Sequence, residues 1–183
     1  MTGNEATRDD DASEADADAR ALASTLRLRI LRLCLDEPMT NRELAERLDR
    51  NPATVLHHVR TLADRGFLAA QPVRRGTRGS REVPYLATRK SWRTPGVPSS
   101  SRILIDTFLV EVALVDPSEV VATRLGLRLD DDGHRELTER LHAVFEDFES
   151  RPPTPGGVPY SLFFALHEDA TRRPPGEAVG GRQ

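Results

Sequence analysis

The 28 residues MTNRELAERLDRNPATVLHHVRTLADRG, at positions 39–66, leave this chain less freedom than any other stretch of it. Thr40 is placed as a helix N-cap, and Glu43 three residues on completes a capping box, with Met39 and Leu44 at the two positions of a hydrophobic staple. Leu44, Ala45 and Leu48 share one face of a helix that ends near Leu48. Asp49, Arg50 and Asn51 then make a turn. Asn51 is a good N-cap, and Pro52 suits the first position of a new helix. A short helix, a three-residue turn and a longer helix closed by Gly66 is the helix-turn-helix plan.

The flanks extend this unit. Residues 21–35 read as a helix with Leu22, Leu26, Ile30 and Leu33 on one stripe and Leu28, Leu31 and Leu35 on roughly the opposite one. A helix apolar on two faces must be covered on both, by its own domain and by a later element or a partner chain. Residues 67–73 and 82–88 read as strands around a basic, glycine-containing hairpin loop at 74–81. The expected fold is mainly α with a small β part: a winged helix-turn-helix domain over 20–92 and a C-terminal α+β dimerisation region over 102–170. Residues 1–19 and 171–183 are expected to be disordered tails, the first of them acidic. A Pro/Ser/Gly linker spans 93–101. Within the C-terminal region the pattern predicts a buried helix at 103–115 and strands at 125–129 and 160–167. Between those strands lies a helix ending near Ser150 with Leu137, Leu141, Val144, Phe145 and Phe148 as its apolar stripe.

Charge divides the chain in three. Residues 1–19 hold one Arg against seven acids, residues 20–93 sixteen Lys or Arg against seven acids, and residues 94–183 nine against fifteen. A general preference for Arg explains its abundance but not this segregation. A basic middle between acidic ends implies a polyanion-binding module joined to something else.

Projected as a helix, residues 52–65 turn Val55, Val59 and Leu62 to one side. Ala53, Thr54, His57, Arg60 and Thr61 fall on the other, with Leu56 and His58 at the margins. Small, hydroxyl and basic side chains on the second helix of a helix-turn-helix are suited to reading base edges in the major groove of double-stranded DNA. Asn51, Ala53, Thr54, Leu56, His57, His58, Arg60 and Thr61 are therefore candidate DNA-contacting residues. Arg74, Arg75, Arg78 and Arg81 in the wing join them for the backbone or a narrow minor groove. The competing reading of both sets is a solvated, charged surface. For His58 a structural hydrogen bond weighs equally with a DNA role. His57 and His58 diverge by about 100° on a helix and cannot easily grip one metal ion.

These residues resemble the winged-helix domain of ArsR-type bacterial repressors, in "ALASTLRLRILRLCL", "MTNRELAERLDRNPATVLHHVRTLADRGFL" and the basic wing that follows. The resemblance covers about two-fifths of the chain. It implies a homodimeric transcription regulator bound to a near-palindromic operator. Leu56, His57 and His58 occupy the place of that family's Ser-Arg-His contact triplet, with the first two replaced. The Cys-x-Cys metal motif of many of its members is absent. The stretches "LGLRLDDDGHRELTERLHAVFEDF" and "PYSLFFALHED" are similar to extensions in actinobacterial-looking members.

A homodimer is also what the apolar pattern asks for, with Leu28, Leu31 and Leu35 meeting Ile103, Leu104, Phe108, Val112 and Val115 in a shared core. The C-terminal region has enough apolar surface to line a small-molecule effector pocket, but a packed dimer core is the default. The single cysteine, Cys34, cannot form an internal disulfide and reads as a core residue. His134, His142, Glu146 and His167 have spacings too loose to define a metal site. No phosphate loop or nucleophile elbow appears. The expectation is a non-enzymatic protein without cofactor or metal; no apolar run approaches the roughly 18 residues of a membrane helix, and residues 1–19 are acidic where a signal peptide would be basic and then apolar, so a cytoplasmic location without a membrane partner is expected. The alternative is a winged-helix protein-interaction module that does not read bases.

Overall fold

The computed structural model describes residues 3–76, 79–92 and 101–172. Arg78, the linker at 93–100 and the tail from 173 lie outside these. The chain divides into two compact units, residues 1–117 and 118–183.

In the first unit, α1 (Gly3–Leu22) and α2 (Thr25–Leu33) precede a short strand β1 (Met39–Thr40). The two helices α3 (Asn41–Leu48) and α4 (Pro52–Asp64) follow, then strands β2 (Leu68–Ala70), β3 (Arg74–Arg75), β4 (Arg81–Glu82) and β5 (Pro84–Ala87), and helix α5 (Ser101–Val112). Antiparallel pairing orders β1, β5 and β2 into one sheet, while β3 and β4 form the two-stranded wing tip. The architecture is a winged helix-turn-helix, mainly α with a small antiparallel sheet. Its core gathers Ile30, Leu44, Val55, Val59, Leu62 and Phe67, all almost fully enclosed.

Local signals set the element boundaries. Thr40 and Glu43 form the capping box in full, and Leu44, Ala45 and Leu48 are the buried residues of α3. Asn51 Oδ1 accepts the Ala53 amide at 2.8 Å to start α4. The Asn41 side-chain amide donates to the Pro52 carbonyl at 3.0 Å, tying the starts of the two helices together. Gly66 takes a positive φ of 72°, a conformation that favours glycine, and the chain turns there into β2.

Four readings need correction in this unit. Residues 3–19, taken for disordered, belong to α1. Their alanines favour helix, and tertiary contacts that no local pattern displays hold the helix end: Ala21, Leu22 and Asp18 are all buried. The helix read at 21–35 is broken, because Ser24 caps α2 afresh through its side chain and Leu22 falls in α1. The basic loop at 74–81 is partly laddered, with Arg74 opposite Glu82 and Arg75 opposite Arg81. Helix α5 packs on α2 in this first unit, joined by an Arg32–Glu111 ion pair at 3.1 Å, so it is a later element of the same chain that covers α2. Leu31 is accordingly buried within its own chain and is not free to meet a partner.

Asp18 anchors α1. Its carboxylate receives the Arg65 guanidinium and the Lys90 ammonium, each at 2.6 Å, and Lys90 also donates to the Arg65 carbonyl at 3.0 Å. Burial opposes the charge on Asp18, but the two cations outweigh it and hold the carboxyl below its ordinary range.

In the second unit, Asp130 caps α6 (Asp131–Ser150) by accepting the Gly133 amide at 2.8 Å. The strands expected at 125–129 and 160–167 are absent from both sheets. Residues 120–130 and 157–169 carry no helix, strand, turn or bend. Period-two alternation specifies two faces of a chain but not the neighbour it pairs with, and here no neighbouring strand of the same chain meets residues 121–129. Among the described residues, no hydrophobic side chain of this unit is buried.

Replacing Asp18 by Asn leaves two cations around a neutral group. Urea unfolding at neutral pH is expected to show a loss of about 1–3 kcal/mol. An unchanged midpoint would mean that α1 does not contribute to the domain.

Candidate nucleic-acid interface

Helix α4 divides cleanly. Val55, Val59 and Leu62 are sealed in the core, while Ala53, Thr54, His57 and Arg60 are exposed on the other side. The sequence therefore placed the outward face correctly. Leu56 is half-buried at its margin. Two members of the expected set already have local work. Asn51 spends its side-chain carbonyl on the N-cap, and the Thr61 hydroxyl donates to the His57 carbonyl at 3.0 Å.

The two histidines differ sharply. His57 is exposed, whereas His58 is half-buried and its Nδ1 lies 3.5 Å from Arg27 Nη1. Their rings meet edge to face, with centroids 5.5 Å apart. Burial, then the charge on Arg27, then His57, keep the His58 imidazole below its ordinary pKa. Arg27 in turn donates to the carbonyls of Ala21 and, at 2.9 Å, Arg20, so it fastens the end of α1 to the middle of α4.

The wing is held by two reciprocal ion pairs to α3. Arg74 reaches Glu43, and Arg42 donates to Glu82 at 3.0 Å. Arg74 is thereby engaged within the domain, unlike the free contact residue expected of it. Arg75 and Arg81 remain exposed, directly across the β3–β4 ladder from one another. Like charges opposite each other on two strands repel. A polyanion laid along the wing would relieve that repulsion and would gain both cations at once.

Sequence reasoning missed Arg42, Glu43, Arg27 and Asp18 as the residues that position this surface. Arg42 and Glu82 lie 40 residues apart, and nothing in a local pattern links them. Among the described residues, no group of three or more His, Cys, Asp or Glu side chains gathers as metal ligands would. No described helix is long and apolar enough to cross a membrane. Cys34 is fully buried, and burial pushes its thiol up to about 12.

Of the dimerisation candidates on α5, Leu104 is exposed, as is Val115 just past its end, and Ile103, Phe108 and Val112 are half-buried. Leu28 and Leu35 of the α2 region are half-buried too.

Residues 22–71 match a family model described as "Helix-turn-helix domain". This is the helix-turn-helix core with its first flanking helix. No curated protein matches the chain. Among solved structures it is similar to NolR from Sinorhizobium fredii, at 20% identity over 61% of this chain and 96% of that one, with a TM-score of 0.40. HlyU from Vibrio cholerae is similar at 20% identity, covering 60% and 99%, with a TM-score of 0.38. The homodimeric winged helix-turn-helix DNA-binding domain of Mb0332 from Mycobacterium bovis, described as a possible ArsR-family transcriptional regulator, is similar at 18% identity, covering 62% and 94%, with a TM-score of 0.41.

His58 supplies a pH signature. Because its folded pKa is depressed, the unfolded chain binds the extra proton first, and stability falls as pH drops below about 6.5. Asp18 and Glu43, also depressed, are carboxylates whose contribution is lost only at lower pH, below the ordinary carboxylate range. Urea midpoints at pH 7.5 and 5.5 are expected to differ more for the native chain than for His58→Gln. Equal differences would remove His58 from the account.

Proposed function

We propose that this chain is a sequence-specific, DNA-binding transcription regulator that acts as a homodimeric repressor. Helix α4 enters the major groove of a near-palindromic operator, presenting Ala53, Thr54, His57 and Arg60 to base edges and phosphates. Arg75 and Arg81 of the wing lie on the flanking backbone or minor groove. The observation that carries the reading is the pairing of an exposed hydroxyl, imidazole and guanidinium face on α4 with two unshielded arginines on a wing fixed to α3. The resemblance to ArsR-type repressors supplies the repressor and homodimer parts. Self-association is further supported by Leu104, Leu109 and Val110, which stay exposed along α5 after it has packed on α2. A two-fold axis would set the two recognition helices about one turn of DNA apart, roughly 34 Å.

Each part of the surface has its own signature in a binding titration followed by fluorescence anisotropy at several salt concentrations. Arg75→Ala and Arg81→Ala are each expected to weaken binding to every sequence and to lower the slope of log K against log salt by about 1. His57→Ala and Thr54→Ala should instead cost about 1–3 kcal/mol of discrimination at one position of each half-site. Affinity that ignores salt, or variants that bind like the native chain, would refute the assignment.

A further inference from the structure

We propose that Glu82 is a selectivity-determining residue of the DNA-binding surface, one that withholds the Arg42 guanidinium from phosphate unless α4 is docked in register on an operator. The inference deepens the DNA-binding reading above and rests on it.

The argument begins with an acid in basic surroundings. Between Asp64 and Asp106 the chain has a single acid, Glu82, among nine Lys or Arg. Its side chain is turned inward, only 14% exposed. The Arg42 Nε donates to one of its carboxylate oxygens at 3.0 Å and Nη2 to the other at 3.5 Å, while Nη1 donates to Glu46 at 3.0 Å. All three guanidinium nitrogens of Arg42 are therefore engaged by carboxylates. The wing leaves space for this arrangement. A Cβ at Gly76 would overlap the Glu82 carboxylate and lie 2.7 Å from its Cγ, so a side chain there would push Glu82 off Arg42.

Arg42 stands where the two arms of the surface meet. It shares a cleft of about 410 Å³ with Arg50, Asn51 and Pro52 at the start of α4, and its ion pair joins it to β4 of the wing. Its side chain is 45% exposed, open enough for a phosphate oxygen to approach. Such a phosphate meets the charges of Glu82 and Glu46 as well, and must displace a two-point, charge-assisted pair.

That exchange discriminates between DNA sequences. DNA of arbitrary sequence is held by phosphate charge alone and offers nothing that would fix a phosphate against Arg42. On an operator, base contacts along α4 hold the duplex in one register, and a phosphate kept in place there can take over the guanidinium. Glu82 thus adds a repulsive element to the attractive contacts of the α4 face, and specificity draws on both.

The test is an anisotropy titration of the chain against two probes, a duplex pool of random sequence and the genomic fragment that the native chain retains best. Glu82→Gln is expected to raise affinity for the random pool by about 10-fold at roughly 0.1 M salt and to steepen its salt slope by about 1. The fragment should gain less, so discrimination narrows. Adding Arg42→Gln to that variant should cancel the gain, which loss of a negative charge alone would not do. Gly76→Ala displaces the carboxylate at constant net charge and should shift random-pool affinity in the same direction. Unchanged or weaker binding of Glu82→Gln to the random pool, or a gain that survives Arg42→Gln, would overturn the proposal and leave DNA binding standing. A native chain that binds neither probe, or both alike, would overturn the sequence-specific reading and this inference with it.

Discussion

The carboxylate of Glu43 is the joint on which this domain turns. One of its oxygens accepts the Thr40 amide at 2.8 Å and the Thr40 hydroxyl at 3.0 Å, and the other receives Arg74 from the wing. Thr40 is also the last residue of β1, paired with Pro84 of β5. One side chain therefore starts the first helix of the helix-turn-helix, fixes the small sheet against it and sets where the wing stands. The Thr40 amide is the largest influence holding the Glu43 carboxyl below its ordinary range, and it outweighs the opposing effect of burial. The placement of the wing against α3 is held by this node and its mirror pair between Arg42 and Glu82.

What could be read in advance tracks the range of each interaction. The capping box, the Asn51 cap with Pro52 behind it, and the turn at Gly66 are decided within four residues, and the sequence displays them directly. The exposed face of α4 was legible for the same reason, since helical periodicity is local. The ties that aim that face were not. Arg74 meets Glu43 across 31 residues, and Arg65 meets Asp18 across 47, at distances along the chain where any arginine could find any acid. Leu31 and Leu104 look equivalent by hydropathy, yet the first is sealed and the second exposed, because α5 folds back onto α2. Alternation at 125–129 and 160–167 was visible as pattern, but pairing is a property of the neighbour.

The two units invert one another physically. The first encloses a continuous apolar core and carries its cations on an outward face and wing. The second buries no hydrophobic residue among those described and leaves residues 120–130 and 157–169 outside any sheet. The acidic α1 is bound into the first unit through a nearly enclosed Asp18, and Arg27 passes the same connection to His58 on α4. The N-terminal helix is thus part of the domain that carries the exposed face of α4, and its negative charge stands in the same unit as the cations of the wing.

The most direct measurement is selection: the purified chain is mixed at moderate salt with fragments of its own genome, and the retained DNA is sequenced. Enrichment of an inverted repeat whose half-sites are centred about one helical turn apart is the expected result. Retention without a common motif, or no retention at all, would contradict the claim that the α4 face reads an operator.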